Sequence, residues 1–248
     1  MKIVSVTDIS PEAREAAERN ELGKLEQAFA EIPIKIKWST LIKGGGAQDV
    51  GNRLCVFSGG LIRHDAGEST APQVFRWDQI ETTYQFREIG YHRGRYERDY
   101  RYTGTRYQYR FIRADGAELL MGEGLFYDRA KYRHVEQTAK LFNSHDEQPY
   151  ADAGQAACER VAEAKLPAAL RALEAGTPMS FGKASISLVG VNTGNGMVPW
   201  QDLDEMQVRE GRLVIKKKGK SLFDESAAAI PNYLLFVTLA EMMSRMNA

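Results

Sequence analysis

The sequence is poor in the residues and patterns by which enzymes and membrane proteins usually declare themselves. Only two cysteines occur, Cys55 and Cys158, in separate halves and without metal-binding or redox spacing, so a disulfide framework and a zinc cluster are both excluded and both thiols are expected to be reduced and structural. The four histidines, His64, His92, His134 and His145, are scattered. None stands at zinc-ligand distance from another histidine or a cysteine, and His64-Asp65 reads as a polar loop pair. There is no Gly-x-Ser-x-Gly elbow for a nucleophilic serine, and Gly44-Gly45-Gly46 leads into Ala47-Gln48-Asp49 where a phosphate loop would need Lys-Ser or Lys-Thr. The carboxylates Asp202, Asp204, Glu205, Asp224 and Glu225 lack the spacing and central glycine of a calcium loop. No cofactor and no metal are expected.

Charge of one sign and long apolar runs are missing too. Lysine plus arginine equals aspartate plus glutamate at 33 each, so no net field steers the molecule to nucleic acid, and no nucleic-acid partner is expected. No stretch reaches the roughly 20 apolar residues of a spanning helix, and Met1 to Ser10 has no apolar signal core. A cytoplasmic protein is expected, with attachment at the periphery of a membrane as the alternative.

What is present is a globular composition, 43% hydrophobic and 27% charged over 248 residues, enough for two ordinary cores. Ser10-Pro11-Glu12 starts a helix to about Asn20, since serine caps it, proline suits the first turn and glutamate favours the positive end. Leu22, Leu25 and Phe29 continue at helical spacing, and Ile32, Ile34, Ile36 and Trp38 switch to period two. Strands follow at Leu54 to Leu61, Val74 to Trp77, Glu81 to Phe86, Tyr107 to Arg113 and Glu118 to Met121, with Asp115-Gly116 as a hairpin turn. A helix over Asp128 to Asn143 closes this unit. The polar stretch Ser144 to Ala153 is the expected boundary, followed by two helices, Gln155 to Lys165 and one opening at Pro167 and ending near Gly176.

The same order then returns. Ala184 to Val191, Met197 to Trp200, Glu205 to Val208, Arg212 to Ile215 and Lys220 to Phe223 read as strands, and Ile230 to Met246 as a helix. Trp77-Asp78-Gln79-Ile80 corresponds to Trp200-Gln201-Asp202-Leu203, and both tryptophans are expected to anchor a sheet corner. Strands first and a helix last, twice, specify a mainly β member of the α+β class. The expectation is two tandem antiparallel β-sandwich or barrel domains of the pleckstrin-homology-like (PH-like) kind, each closed by a helix, with an N-terminal helix and a helical linker. Their bounds are 1–145, 146–176 for the linker, and 177–248.

In Leu22-Gly23-Lys24-Leu25, Gly59-Gly60-Leu61, Phe181-Gly182, Val198-Pro199-Trp200 and Ile230-Pro231-Asn232 the chain resembles a bacterial family of unknown function with tandem PH-like domains. The resemblance implies a fold and supplies no activity.

One feature breaks the repeat, an insertion over Arg87 to Thr105. From Arg87 to Arg113 eight arginines face three carboxylates and alternate with six tyrosines, a composition suited to forked and stacked recognition. Charges on Arg95, Glu97, Asp99 and Arg101 cancel along one face. The residues left as candidate ligand or partner contacts are Arg93, Arg98, Arg106 and Arg110, with Tyr96 and Tyr100. A second basic run, Lys216, Lys217, Lys218 and Lys220, surrounds a hairpin turn and is the candidate contact for anionic lipid, or a guard against edge aggregation. The expected function is non-enzymatic: a scaffold or adaptor binding a protein partner. The alternatives are peripheral binding to anionic or phosphoinositide-like head groups, and a hydrolase with an unrecognised site.

Overall fold

The computed structural model describes residues 2–32, 49–65, 71–93, 98–126, 147–203, 205–209 and 211–247. The strand read through Trp38, the glycine triplet at 44–46, Tyr96 and the closing helix of the first unit over 128–143 lie outside the described residues. The described part is mainly β with three α-helices, and its strands form open antiparallel sheets with no closed barrel among them. The barrel alternative is therefore corrected.

The first sheet is a meander in the order β1 (Lys2–Val6), β2 (Leu25–Ile32), β3 (Arg53–Phe57), β4 (Gly60–His64) and β5 (Gln73–Arg76), antiparallel throughout. Helix α1 (Pro11–Arg19) connects β1 to β2, and its cap is as expected: Ala13 N donates to Ser10 Oγ at 3.1 Å. Residues 25–32 correct the helical reading. Ala28, Phe29, Ala30 and Glu31 are all buried, because β2 has a strand on each side and cover on both faces. A strand buried on both faces loses its alternating pattern, which is why its period was not visible.

A second sheet is built from β6 (Ile80–His92), β7 (Arg101–Arg113) and β8 (Glu118–Phe126), with β7 central. Most of the expected insertion thus extends a long hairpin. At the β7–β8 turn Gly116 has φ +82°, and Asp115 accepts a hydrogen bond from Ala117 N. Along β7 the buried positions are Tyr102 and Gly104, then Thr105, Tyr107, Tyr109 and Phe111. The phase shifts at Gly104, where φ is +127°, the behaviour of a one-residue bulge. The shift keeps the tyrosines inward and Arg101, Arg106 and Arg110 outward.

Helix α2 spans Gln148–Glu174 without a break, where two helices and a polar boundary segment were expected. Pro167 removes one intrahelical bond, but Glu163 and Pro167 are both exposed, so the freed carbonyl lies on the solvent side. In its described part, 147–153, the stretch read as a polar boundary buries Tyr150, Ala151 and Ala153.

After α2 come a four-stranded meander, β9 (Met179–Phe181), β10 (Ala184–Ile186), β11 (Gly190–Asn192) and β12 (Met197–Pro199), and a three-stranded one, β13 (Glu205–Arg209), β14 (Arg212–Lys217) and β15 (Lys220–Ser226). Helix α3 (Tyr233–Met246) ends the chain. Phe181, Ile186, Trp200, Phe223, Phe236 and Leu239 share one core with Ala169 and Leu173 of α2.

The described chain divides into two compact units, one of Met1–Gln79, Ile89–Gln108 and Met121–Gly154, the other of Ile80–Glu88, Tyr109–Leu120 and Gln155–Ala248. The second unit therefore takes two stretches from the segment read as the first domain. Asn232 shows how it holds one of them. With left-handed backbone (φ +51°), it receives Thr83 N on its side-chain oxygen at 3.0 Å, while its amide nitrogen donates to Glu81 O and its backbone N to Thr83 O.

The tryptophan corners repeat bond for bond. Trp77 Nε1 donates to Ser58 O at 2.8 Å and Trp200 Nε1 to Ser187 O at 3.1 Å. Trp77 N donates to Gly59 O and Trp200 N to Val189 O. Gly60 pairs with Arg76 and Gly190 with Pro199, the residue just before each tryptophan. The helix ends that precede the meanders also match. Glu21 N donates to Glu18 O and Leu22 N to Ala17 O; Gly176 N donates to Leu173 O and Thr177 N to Ala172 O. Glu21 and Gly176 both have positive φ, so each helix ends in a Schellman motif.

Candidate functional site

The arm of the β6–β7 hairpin carries most of the sequence-predicted contacts that the structure describes. Ile89, Tyr91 and Tyr100 are exposed, Tyr100 to 67%. The Arg93 guanidinium sits 5.3 Å from the centre of the Tyr100 ring, within the range of a cation–π contact. Tyr91 packs edge-on against Tyr102 with ring centres 5.9 Å apart, and Tyr102 is itself buried, its hydroxyl 2.6 Å from Thr105 Oγ1. A fixed tyrosine thus supports an exposed one. Arg98 and Arg106 are exposed, and no ionic partner for either is found among the described residues. Arg110 is engaged: Nη2 donates to Glu118 Oε2 at 2.8 Å, its Nε donates to the same carboxylate, and its guanidinium stands 5.8 Å from the Tyr84 ring. Tyr96 lies outside the described residues.

The lysine run is half neutralised. Lys216 pairs with Glu205 at 2.6 Å and Lys217 with Asp202 at 2.7 Å, so two of the carboxylates noted in the sequence are counter-charges of the basic run, while Asp224 and Glu225 pair with Arg212 and Lys183. The Lys217 contact holds the Asp202 carboxyl below its ordinary range. Lys218, with φ +51°, and Gly219, with φ +72°, form the turn, and Lys218 and Lys220 are exposed. His64 faces Ser10 Oγ at 3.0 Å, while Asp65 receives Arg63. The His-Asp dipeptide is divided between two separate polar contacts.

Two features escaped the sequence reading. The first is a buried polar cluster in the first unit. Glu31, 3% exposed, accepts Arg63 Nη2 at 2.9 Å and the Tyr150 hydroxyl. Tyr107 donates to Glu147 at 3.2 Å, and burial raises the Glu147 carboxyl above its usual range. These partners are separated by up to 119 positions, so no local pattern could show them. Removing Arg63 would leave the buried Glu31 without its ionic partner, at a cost of about 3–5 kcal/mol.

The second is a groove of about 320 Å³ in the second unit, lined by Leu188, Val189, Met197, Pro199, Trp200, Gln201 and Asn247. None of the lining residues is charged. Leu188, Val189 and Met197 are exposed, Val189 to 66%, and β12 is an edge strand. The signal in the sequence was the Leu-Val pair that lengthens a turn which in the first repeat is Ser58-Gly59.

Residues 136–248 match a family described as a family of unknown function (DUF6585). A search of the curated proteins and of the solved structures finds no match. No helix among the described residues is long and apolar enough to cross a membrane.

Proposed function

We propose that this chain is a non-enzymatic scaffold or adaptor with two PH-like β domains, and that it recognises a protein partner through the β6–β7 arm. The observation that carries the reading is the cluster of Tyr100, Tyr91 and Ile89 left exposed beside Arg93. Tyrosine and arginine are the residues that most often dominate binding energy at protein interfaces. They lose little entropy when held in place, and Arg93 and Tyr91 are each held by a neighbouring ring. Arg98 and Arg106 are exposed charges that find no ionic partner among the described residues, Arg106 on the face of β7 opposite Tyr102. The PH-like reading draws support from the order of four strands, three strands and a helix after α2.

The test is to change Arg93, Arg98 and Arg106 to serine together with Tyr100→Ala, and to compare cross-linked partners from the native host. Loss of one defined partner at unchanged thermal stability is expected. Retention of every partner would remove the arm from the reading. Binding to anionic lipid has weaker support: two of the four lysines are paired, and the exposed pair supplies only about 2 kcal/mol at roughly 1 kcal/mol each. Sedimentation with anionic vesicles at low salt tests that alternative.

A further inference from the structure

The two tryptophan corners share their hydrogen bonds and differ in what lies over them. In the first, Leu22 follows the Schellman cap and is fully buried; Gly59 N donates to its carbonyl at 2.8 Å, and Ser58 N donates to Lys24 O. A Cβ on Gly59 would lie 3.1 Å from the Leu22 backbone, and one on Gly60 would lie 3.1 Å from Leu22 Cδ2. The leucine is thus pressed onto the turn. Arg76 adds a tie, donating to Asn20 O at 2.7 Å.

Each of these elements is altered in the second corner. The residue after the Schellman cap is Thr177, which is exposed. Ser187 N donates to Gly190 O, closing the turn on itself. Leu188 and Val189 stand where Gly59 stood, and Pro199, which has no N–H, replaces Arg76. The result is an uncharged groove with no covering segment among the described residues.

We infer that the Trp200 groove is a docking site for a short leucine-bearing segment of a partner protein, seated over the turn as Leu22 is seated in the first corner. The volume of about 320 Å³ suits one aliphatic side chain and its backbone. A groove that seats one side chain is much smaller than the face of roughly 20–30 residues a side that a stable protein–protein interface needs, which favours a linear segment over a second folded copy. A second copy also could not supply Leu22, which is buried in its own corner. The inference rests on the protein-partner reading but uses another surface.

The probe is a labelled peptide of residues 18–27 of this chain, titrated with the full-length protein by fluorescence anisotropy, with the indole N–H signals of Trp77 and Trp200 followed by NMR. Saturable binding is expected. It should weaken about tenfold or more when the peptide's leucine at position 22 is alanine, and equally with Val189→Glu or Met197→Glu in the protein, as loss of one buried aliphatic contact requires. Both side chains are exposed, so neither change threatens the fold. The Trp200 signal should move and the Trp77 signal should not. Absence of saturation, or equal binding by wild type and both groove variants, overturns the inference. The arm variant described above should bind the peptide normally. A peptide that fails to bind while that variant loses its partner sinks the groove alone; a peptide that binds while the variant keeps every partner sinks the arm alone.

Discussion

The corner around Trp77 and the corner around Trp200 are the same construction finished in two ways. Both place an indole N–H on a serine carbonyl and both bring a glycine against the opposite strand. The first is then sealed by Leu22, Arg76 and two backbone bonds, whereas the second is left with Leu188, Val189 and Met197 facing outward. The shared bonds are the parts that fold the meander, and the differing parts are those that decide whether the surface is available. A repeat can therefore keep a fold in one copy and present a surface in the other.

The largest effect expected from disturbing the shared part is at the glycines. A Cβ on Gly190 would lie 2.1 Å from Val198 O, and one on Gly60 2.5 Å from Phe75 O. Gly190→Ala and Gly60→Ala should each destabilise by about 3 kcal/mol or more in denaturant unfolding. If either is tolerated, the close approach is not essential to the corner. Next comes the asymmetry itself. Leu22→Ala should cost about 2–5 kcal/mol, as expected for emptying a buried leucine site, while Thr177→Ala should stay within about 0.5 kcal/mol as an exposed change. Equal costs would break the comparison.

Trp77→Phe and Trp200→Phe each strand a carbonyl, and a loss of about 1–3 kcal/mol is expected for both; a large difference between them would show that one bond is dispensable. The smallest effect belongs to Arg76. Its ion pair with Asp78, 3.0 Å, holds that carboxyl below its ordinary value of 3.8. Because the folded value is the lower one, the stabilisation is complete above 3.8 and disappears as pH falls through the folded value. Acid titration of wild type against Arg76→Ala should show a small difference that closes at low pH.

The relation between sequence and structure differed by element. Helix α1, the Asp115-Gly116 turn and β13 to β15 were legible because caps, positive-φ residues and alternation act over a few positions. Strand β2 was not, since cover on both faces erased its period, and α2 was split in the reading because Pro167 signals a break that exposure on the solvent side makes tolerable. For the candidate sites, the sequence offered Arg93 among the free arginines and Tyr100 as a stacking partner without pairing the two, and the structure brings the Arg93 guanidinium within 5.3 Å of the Tyr100 ring centre. It likewise could not separate Arg110, held by Glu118, from Arg106.

By itself the sequence determined helix α1, the Asp115-Gly116 turn, strands β13 to β15 and the two tryptophan motifs, because each depends on residues close together along it. Only the tertiary structure decided that Glu31 would be satisfied by Arg63 and Tyr150, and that Leu22 would cover one corner while Thr177 leaves the other open. Burial is set by what arrives from distant parts of the chain, and a sequence read locally holds no record of that arrival.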